Sequence, residues 1–384
     1  MSDGTTYYPW WRKDASVFAA LLAFAAIAFT ATYFITKSYG RKQDSLARHW
    51  LAQGNLNLQN NRAKLAVADF RTALQYSHDN PAYRLRLAQA LAADGETSQA
   101  IAYFLNLLEE QPGNGLYNLE LARLYSRQEN TRKAAQYYNA AIYGAWDTDP
   151  AAARRNSRTE YIHFLLAHNA QTQAQAEAMI LAAGVSPNDI PARLNSARIL
   201  LDTGEYNRAI DEYAALMKND PVAAALGAGQ AAFQSGRFLT AAKYLSIAIA
   251  RGANDPSAPN LLQRAKSVLD IDPNRSRLSS TERARRVMNA FDTAGDRLRT
   301  CAVIKNQPLD TTPPSTDMQK LYDEMKALDE NVSMKKLRQD PDLRDSVMDL
   351  ISRIEDRTAQ LCGTPTGDDW ALLMLSRYGQ GVQH

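Results

Sequence analysis

A spacing of 34 residues governs the first two thirds of this chain. Ala66, Ala100 and Ala134 stand 34 apart, and each is followed four residues later by an aromatic residue, Phe70, Phe104 and Tyr138. Three residues beyond come Ala73, Leu107 and Ala141. Trp50 and Gly54 lie 16 and 12 residues before Ala66. A fixed period of this length means that one supersecondary unit is repeated. Each unit leaves an apolar face that only its neighbours can cover. That excludes most enzyme folds and leaves a stacked helical scaffold.

The register W-x2-L-G-x2-Y…A-x3-F…P that these residues follow resembles that of the tetratricopeptide repeat family. Ala209, Tyr213, Leu216 and Pro221 make a clear fifth unit, and Ala241, Leu245 and Ala248 a sixth. Ala174, Ala178 and Leu181 make a weak fourth, displaced by an insertion at Asp147-Thr148-Asp149-Pro150. The units fall at 47–80, 81–114, 115–150, 151–188, 189–221 and 222–256. Only the first keeps its Trp, and the terminal Pro drifts. The resemblance implies an all-α fold, a right-handed superhelix of about six helix–turn–helix repeats. Gly95, Gly204 and Gly236 fall where turns must form. Ala122, Ala134, Ala197 and Ala209 let helices approach, while Phe70, Phe104 and Tyr213 fill the layers. Ser257–Asp270 has helical apolar spacing and reads as a capping helix.

The N-terminus is of another kind. Ala15 to Ile35 carries no charge. Some 20 residues at 1.5 Å each cover about 30 Å, the thickness of a bilayer core. Tyr7, Tyr8, Trp10 and Trp11 precede the stretch, and Tyr33 and Tyr39 close it, as in an interfacial belt. A cleaved signal peptide is the alternative, with Ala26-Ile27-Ala28 as a small-x-small site, but the apolar run continues past it. The reading is an uncleaved single-pass anchor in the inner (plasma) membrane. The expected organisation is a tail at 1–14, a transmembrane helix at 15–36, a linker at 37–45, the solenoid with its cap at 46–273, and a helical domain at 274–384.

Orientation rests on two opposed signals. Arg12 and Lys13 precede the span, whereas Lys37, Arg41, Lys42 and Arg48 follow it, which favours a cytoplasmic soluble part. The two cysteines, Cys301 and Cys362, favour the periplasm. The region after Arg275 reads as three amphipathic helices, carrying Val287–Leu298, Met318–Val332 and Leu343–Leu361. Thr312-Pro313-Pro314 separates the first two, and Asp340-Pro341 starts the third. In an up–down–up bundle the first and third run parallel, so the cysteines that end them meet at one pole. Two buried thiols are the alternative; a disulfide would imply an oxidising compartment. The expectation is a periplasmic soluble part, with a cytoplasmic one as the alternative.

Signs of catalysis are lacking in the sequence. It has no GxxxxGK[ST], GxGxxG or HExxH, and the cysteines form no C-x-x-C. His163 and His168 are five apart, the wrong step for a shared helical ligand site. Net charge is +3 with both signs interleaved. The basic run Arg275, Arg277, Arg283, Arg285, Arg286 reads as a solvated helix face, not a nucleic-acid stripe. The reading is a non-enzymatic chain without cofactor or metal.

In the tetratricopeptide family the first helix of each pair lines the concave groove. The resemblance carries the ninth repeat position onto Asn55, Gln89, Arg123, His163, Arg198 and Gln230, with Arg127 close by. This polar to basic row implies a protein partner with an extended polar or acidic segment. The family's terminal-carboxylate clamp is absent, since the fifth position holds Leu51, Leu85, Leu119, Thr159, Leu194 and Leu226. The functional expectation is a membrane-tethered scaffold that assembles or holds an envelope complex. The alternative is an accessory of envelope polysaccharide synthesis or export, which predicts groove aromatics, with Phe233 the clearest candidate.

Overall fold

The computed structural model describes residues 11–310 and 314–379, with side chains described from Val17 onward. Tyr7, Tyr8, Trp10 and the Thr312-Pro313 pair lie outside the described residues, as do the Trp11, Arg12 and Lys13 side chains. The described chain is helical, apart from turns and one isolated bridge between Asn114 and Ala145. It divides into two compact units, residues 1–164 and 165–384.

The first unit begins with α1 (Trp11–Gln59), followed by α2 (Ala63–Tyr76), α3 (Pro81–Asp94), α4 (Thr97–Glu110), α5 (Gly115–Arg127), α6 (Thr131–Tyr143) and most of α7 (Pro150–Ala167). From α1 onward the helices alternate as the first and second members of antiparallel pairs, on the boundaries expected from the period. The periodic positions are the core: Ala66, Phe70, Ala100, Phe104 and Ala134 have no exposed surface, and Tyr138 only 5%. Where a first helix meets an aromatic of its own pair, it must be small. A Cβ on Gly54 would lie 2.5 Å from the Phe70 ring. A buried polar pair, Asn57 Nδ2 donating to Asp69 Oδ2 at 2.6 Å, also ties α1 to α2. Asn80, Asn114 and Asn130 cap α3, α5 and α6 by accepting from backbone N–H groups, which satisfies donors that helix starts leave unpaired.

The linker expected at 37–45 is instead helical. α1 runs unbroken from the apolar stretch into the first repeat. The segment Lys37-Ser-Tyr-Gly-Arg-Lys-Gln-Asp-Ser has no proline, and a lone glycine costs only about 1 kcal/mol in a helix. The helix from Val17 to Gln59 contains a window of mean hydropathy 2.1, long and apolar enough to cross a membrane, and none of that window is buried.

The second unit holds α8 (Gln171–Ala183), α9 (Ile190–Asp202), α10 (Tyr206–Leu216), α11 (Pro221–Gln234), α12 (Phe238–Ala250) and the cap α13 (Ala258–Ile271). The turns inside the helix pairs need a left-handed residue. Gly95, Gly204 and Gly236 supply it with φ of 86°, 85° and 74°, and Asn61, Glu129 and Asn169 do so elsewhere with 57°, 58° and 57°.

After the cap come α14 (Ser280–Ile304), α15 (Asp317–Asp329), α16 (Met334–Gln339), α17 (Pro341–Cys362) and α18 (Gly367–Tyr378). Three helices are expected here, and five are present among the described residues. α16 has six residues, too few to show a period. α18 carries the run Trp370-Ala-Leu-Leu-Met-Leu, whose near-continuous apolarity hides its helical repeat. α14 and α17 run parallel: Arg297 pairs with Thr358, and Cys301 with Cys362. The two cysteines are joined, with Cα atoms 5.9 Å apart. The basic run is not a plain solvated face. Arg283 donates to Pro273 O, and Arg286 to Leu269 O and Asp272 O, closing the carbonyl end of α13. Arg285 and Arg286 also pair with Glu282.

Candidate functional site: the groove row

Each residue of the groove row stands on the first helix of its pair. In the first unit these are Asn55 on α1, Gln89 on α3, Arg123 and Arg127 on α5, and His163 on α7. Their neighbours occupy much of their capacity. Arg123 forks onto Glu160, with Nη2 to Oε1 at 2.6 Å and Nε to Oε2 at 2.9 Å, and Nη1 reaches Glu120 at 3.1 Å. Burial raises the Glu120 carboxyl above its ordinary range and Arg123 opposes that rise. The Glu160 hydrogen bond, in turn, raises Arg123. Arg127 Nη1 donates to Ala92 O at 2.9 Å. Gln89 accepts from Arg86 Nη1 at 3.1 Å. His163 is exposed and Asn55 half-buried. Arg123 is therefore a neutralised cation, already held by two carboxylates.

In the second unit the row is Arg198 on α9 and Gln230 on α11. The structure brings these two together on the wall of one hollow of about 470 Å³, with Asn195, Asp202, Tyr213 and Asp255. Gln230 Nε2 donates to Asp255 Oδ2 at 3.0 Å. Asp255 is held below the usual carboxylate range, first by the Ser257 hydroxyl and then by its backbone N–H. Tyr213 is pushed up to about 12, mainly by burial and then by the charge on Asp202, so its hydroxyl stays protonated. Tyr213 lies against the backbone of α11 at Gly227, where a Cβ would come within 2.2 Å of its ring. Arg198 is exposed, and among the described residues no carboxylate lies within ion-pair distance of its guanidinium. Asn195, Asp202 and Asp255 were missed from sequence. Asp202 follows Arg198 by four residues on the same helix, a spacing that was readable. Asp255 lies beyond α12 and carried no signal.

Two segments, 57–117 and 194–259, match family models of the tetratricopeptide repeat. The chain carries tetratricopeptide repeats. Such repeats build scaffolds for protein–protein interaction, and the groove row sits on the helices that form them. Similar solved structures include YrrB, described as a TPR protein with an unusual peptide-binding site. It is 20% identical, with 51% of this chain and 97% of that one covered and a TM-score of 0.36. Pseudomonas aeruginosa pilF is 17% identical over 59% of this chain and 99% of that one, with a TM-score of 0.39. The TPR2AB domain of yeast Sti1, in complex with pHSP90, is 17% identical over 58% and 99%, with a TM-score of 0.26. No curated protein matches the sequence.

Phe233, the aromatic expected to face the groove, is stacked on Trp370 of α18 at 6.3 Å with the planes 7° apart. Among the described residues no group of His, Cys, Asp and Glu side chains is arranged to hold a metal ion.

Proposed function

We propose that this chain is a membrane-tethered tetratricopeptide scaffold that binds a protein partner through its groove row and holds an envelope complex together, without catalysis of its own. The observation that carries the reading is α1. A fully exposed apolar stretch and the first repeat helix are one uninterrupted helix, so repeat and anchor share a rigid connection. Of the polar and acidic alternatives for the partner segment, the pairing of Arg123 favours a polar one with a single anionic group placed at Arg198. The polysaccharide reading loses its clearest support, because Phe233 is covered by Trp370. The Cys301–Cys362 bridge supports a periplasmic soluble part, with a cytoplasmic one as the alternative.

Arg198→Glu should reduce capture of the partner from detergent-solubilised native membranes, read by mass spectrometry, while helicity and melting stay unchanged. Arg123→Glu should act differently, lowering the melting temperature by setting three carboxylates together. Unreduced capture by Arg198→Glu sends that residue back to a solvated face. Removing residues 1–40 should leave a folded protein in the soluble fraction. If the mature protein from its own cells begins near Phe29, the stretch is a signal peptide and the tether is wrong.

A further inference from the structure

α18 meets the last repeat through aromatic rings. Trp370 stacks on Phe233 of α11, and the Arg264 guanidinium of α13 lies 3.8 Å over the Trp370 ring. Eight residues on, and so on the same helical face, Tyr378 meets Phe238 of α12 edge-on at 6.1 Å. Tyr378 also lies across the turn at Gly236, where a Cβ would come within 2.3 Å of its ring. The surface formed by Phe233, Gly236, Phe238 and Arg264 thus fits a helix bearing two aromatics eight residues apart, and the chain's own α18 occupies it.

The other side of α18 faces an unbalanced buried charge. Arg297 on α14 is the pivot: Nε donates to Thr358 Oγ1 at 3.0 Å and Nη2 to Gly363 O at 2.7 Å. Two carboxylates share that one cation. Glu355 Oε2 on α17 is 3.6 Å from Nε, and Asp369 Oδ2 in the first turn of α18 is 4.0 Å from Nη1. Glu355 has no exposed surface, and neither of its carboxylate oxygens has a hydrogen-bond partner. An ionised carboxylate stripped of water and hydrogen bonds is costly.

We propose that α18 is a detachable helical strap on an aromatic docking face of the last repeat, released when the Arg297 cluster, already facing Asp369, takes on the negative charge of the buried Glu355.

The charges acting on Glu355 are Arg297 of α14, which opposes its protonation, and Asp369 of α18 and Asp356 of α17, which favour it. Asp356 is itself paired with Arg377 of α18 at 3.4 Å. Asp369 is acted on by Arg297, by Asp368 of α18 and by Asp296 of α14. α15 turns Asp317 and Glu324 to Arg357 and Arg353 instead, and α16 acts on neither carboxylate. Burial pushes Glu355 up to about 8, and burial raises Asp369 as well. A carboxyl that holds its proton more tightly docked than released favours the docked state while protonated. Docking is therefore firm in mild acid, weakens as pH climbs from the ordinary carboxylate range, and is weakest above about 8.

Hydrogen–deuterium exchange of the detergent-solubilised full chain, read over residues 366–379 and corrected for intrinsic rates, tests this. Protection should fall between pH about 6 and about 9 by at least about tenfold, and by about a hundredfold at most. Glu355→Gln, which imitates the protonated group, should stay protected at both values. Trp370→Ala should be unprotected at both. Should Glu355→Gln fail to fold, Glu355→Leu serves, because it removes the titrating group and leaves an apolar side chain where neither carboxylate oxygen has a hydrogen-bond partner. Equal protection of the native chain at both pH values overturns the proposal, as does a native pH dependence in either Glu355 variant.

Discussion

Phe104→Ala is expected to lower the unfolding free energy by about 3–5 kcal/mol, a large fraction of what holds a domain together. Phe104 has no exposed surface and lies on α4, the second helix of an interior pair. Loss of the ring removes buried apolar area and leaves a hole that rigid helices cannot close. In a stacked array the damage also reaches the neighbouring interfaces, because each repeat is stabilised by the next. Tyr143→Ala is the control. Tyr143 is 71% exposed, and loss of its ring with the Arg158 contact over it costs about 1 kcal/mol at most. Thermal and denaturant melts of the detergent-solubilised chain, followed by circular dichroism, measure both. If the two variants melt alike, the 34-residue period does not mark the packing positions.

The repeats were legible because their constraint is local and recurrent. Ala66, Ala100 and Ala134 mark the same contact each time, and the helix pairs fall where the period places them. Turns were half legible. Gly95, Gly204 and Gly236 announce a left-handed residue, but Asn61, Glu129 and Asn169 do the same work with side chains that have many other uses. The continuity of α1 was missed because charged and polar residues after an apolar stretch look like a linker, while nothing at 37–45 forbids a helix.

The site was less legible, for a physical reason. The row of first-helix residues follows from the register, but their charge state follows from neighbours one repeat away. Arg123 and Glu160 are 37 residues apart, one period plus a helical step, and the insertion near Asp147 disguises that relation. Glu355 was not visible at all. A glutamate on an amphipathic helix reads as exposed, and only the packing of α14, α17 and α18 shows that this one is buried beside a single arginine.

Reduction, or replacement of both Cys301 and Cys362 by Ser, is expected to destabilise the region from α14 to α18, and through α18 the last repeat, while leaving the repeats of the first unit unchanged. The bridge closes a sequence separation of 61 residues. On the chain-entropy account, a loop of that length is worth about 4 kcal/mol, and measured values often fall lower. The effect is large here because these helices have a small core of their own, and because the bridge pins the carboxyl ends of α14 and α17 beside Arg297 and the turn leading to α18. The measurement is a denaturant series with and without reductant, followed by exchange over residues 280–379 and, separately, over residues 47–164 of the first unit. Loss confined to the former range is the expected result; equal stability in both redox states would mean that packing alone holds the pole. The redox state of the same cysteines in cells tests the proposed compartment. Protein taken from its native cells and denatured under a thiol-alkylating reagent should take no label until reduced, because a bridge persists only where thiols are not kept reduced. Two thiols labelled without reductant would remove the argument for the periplasm. The excess of Lys37, Arg41, Lys42 and Arg48 after the apolar stretch would then place the repeats in the cytoplasm.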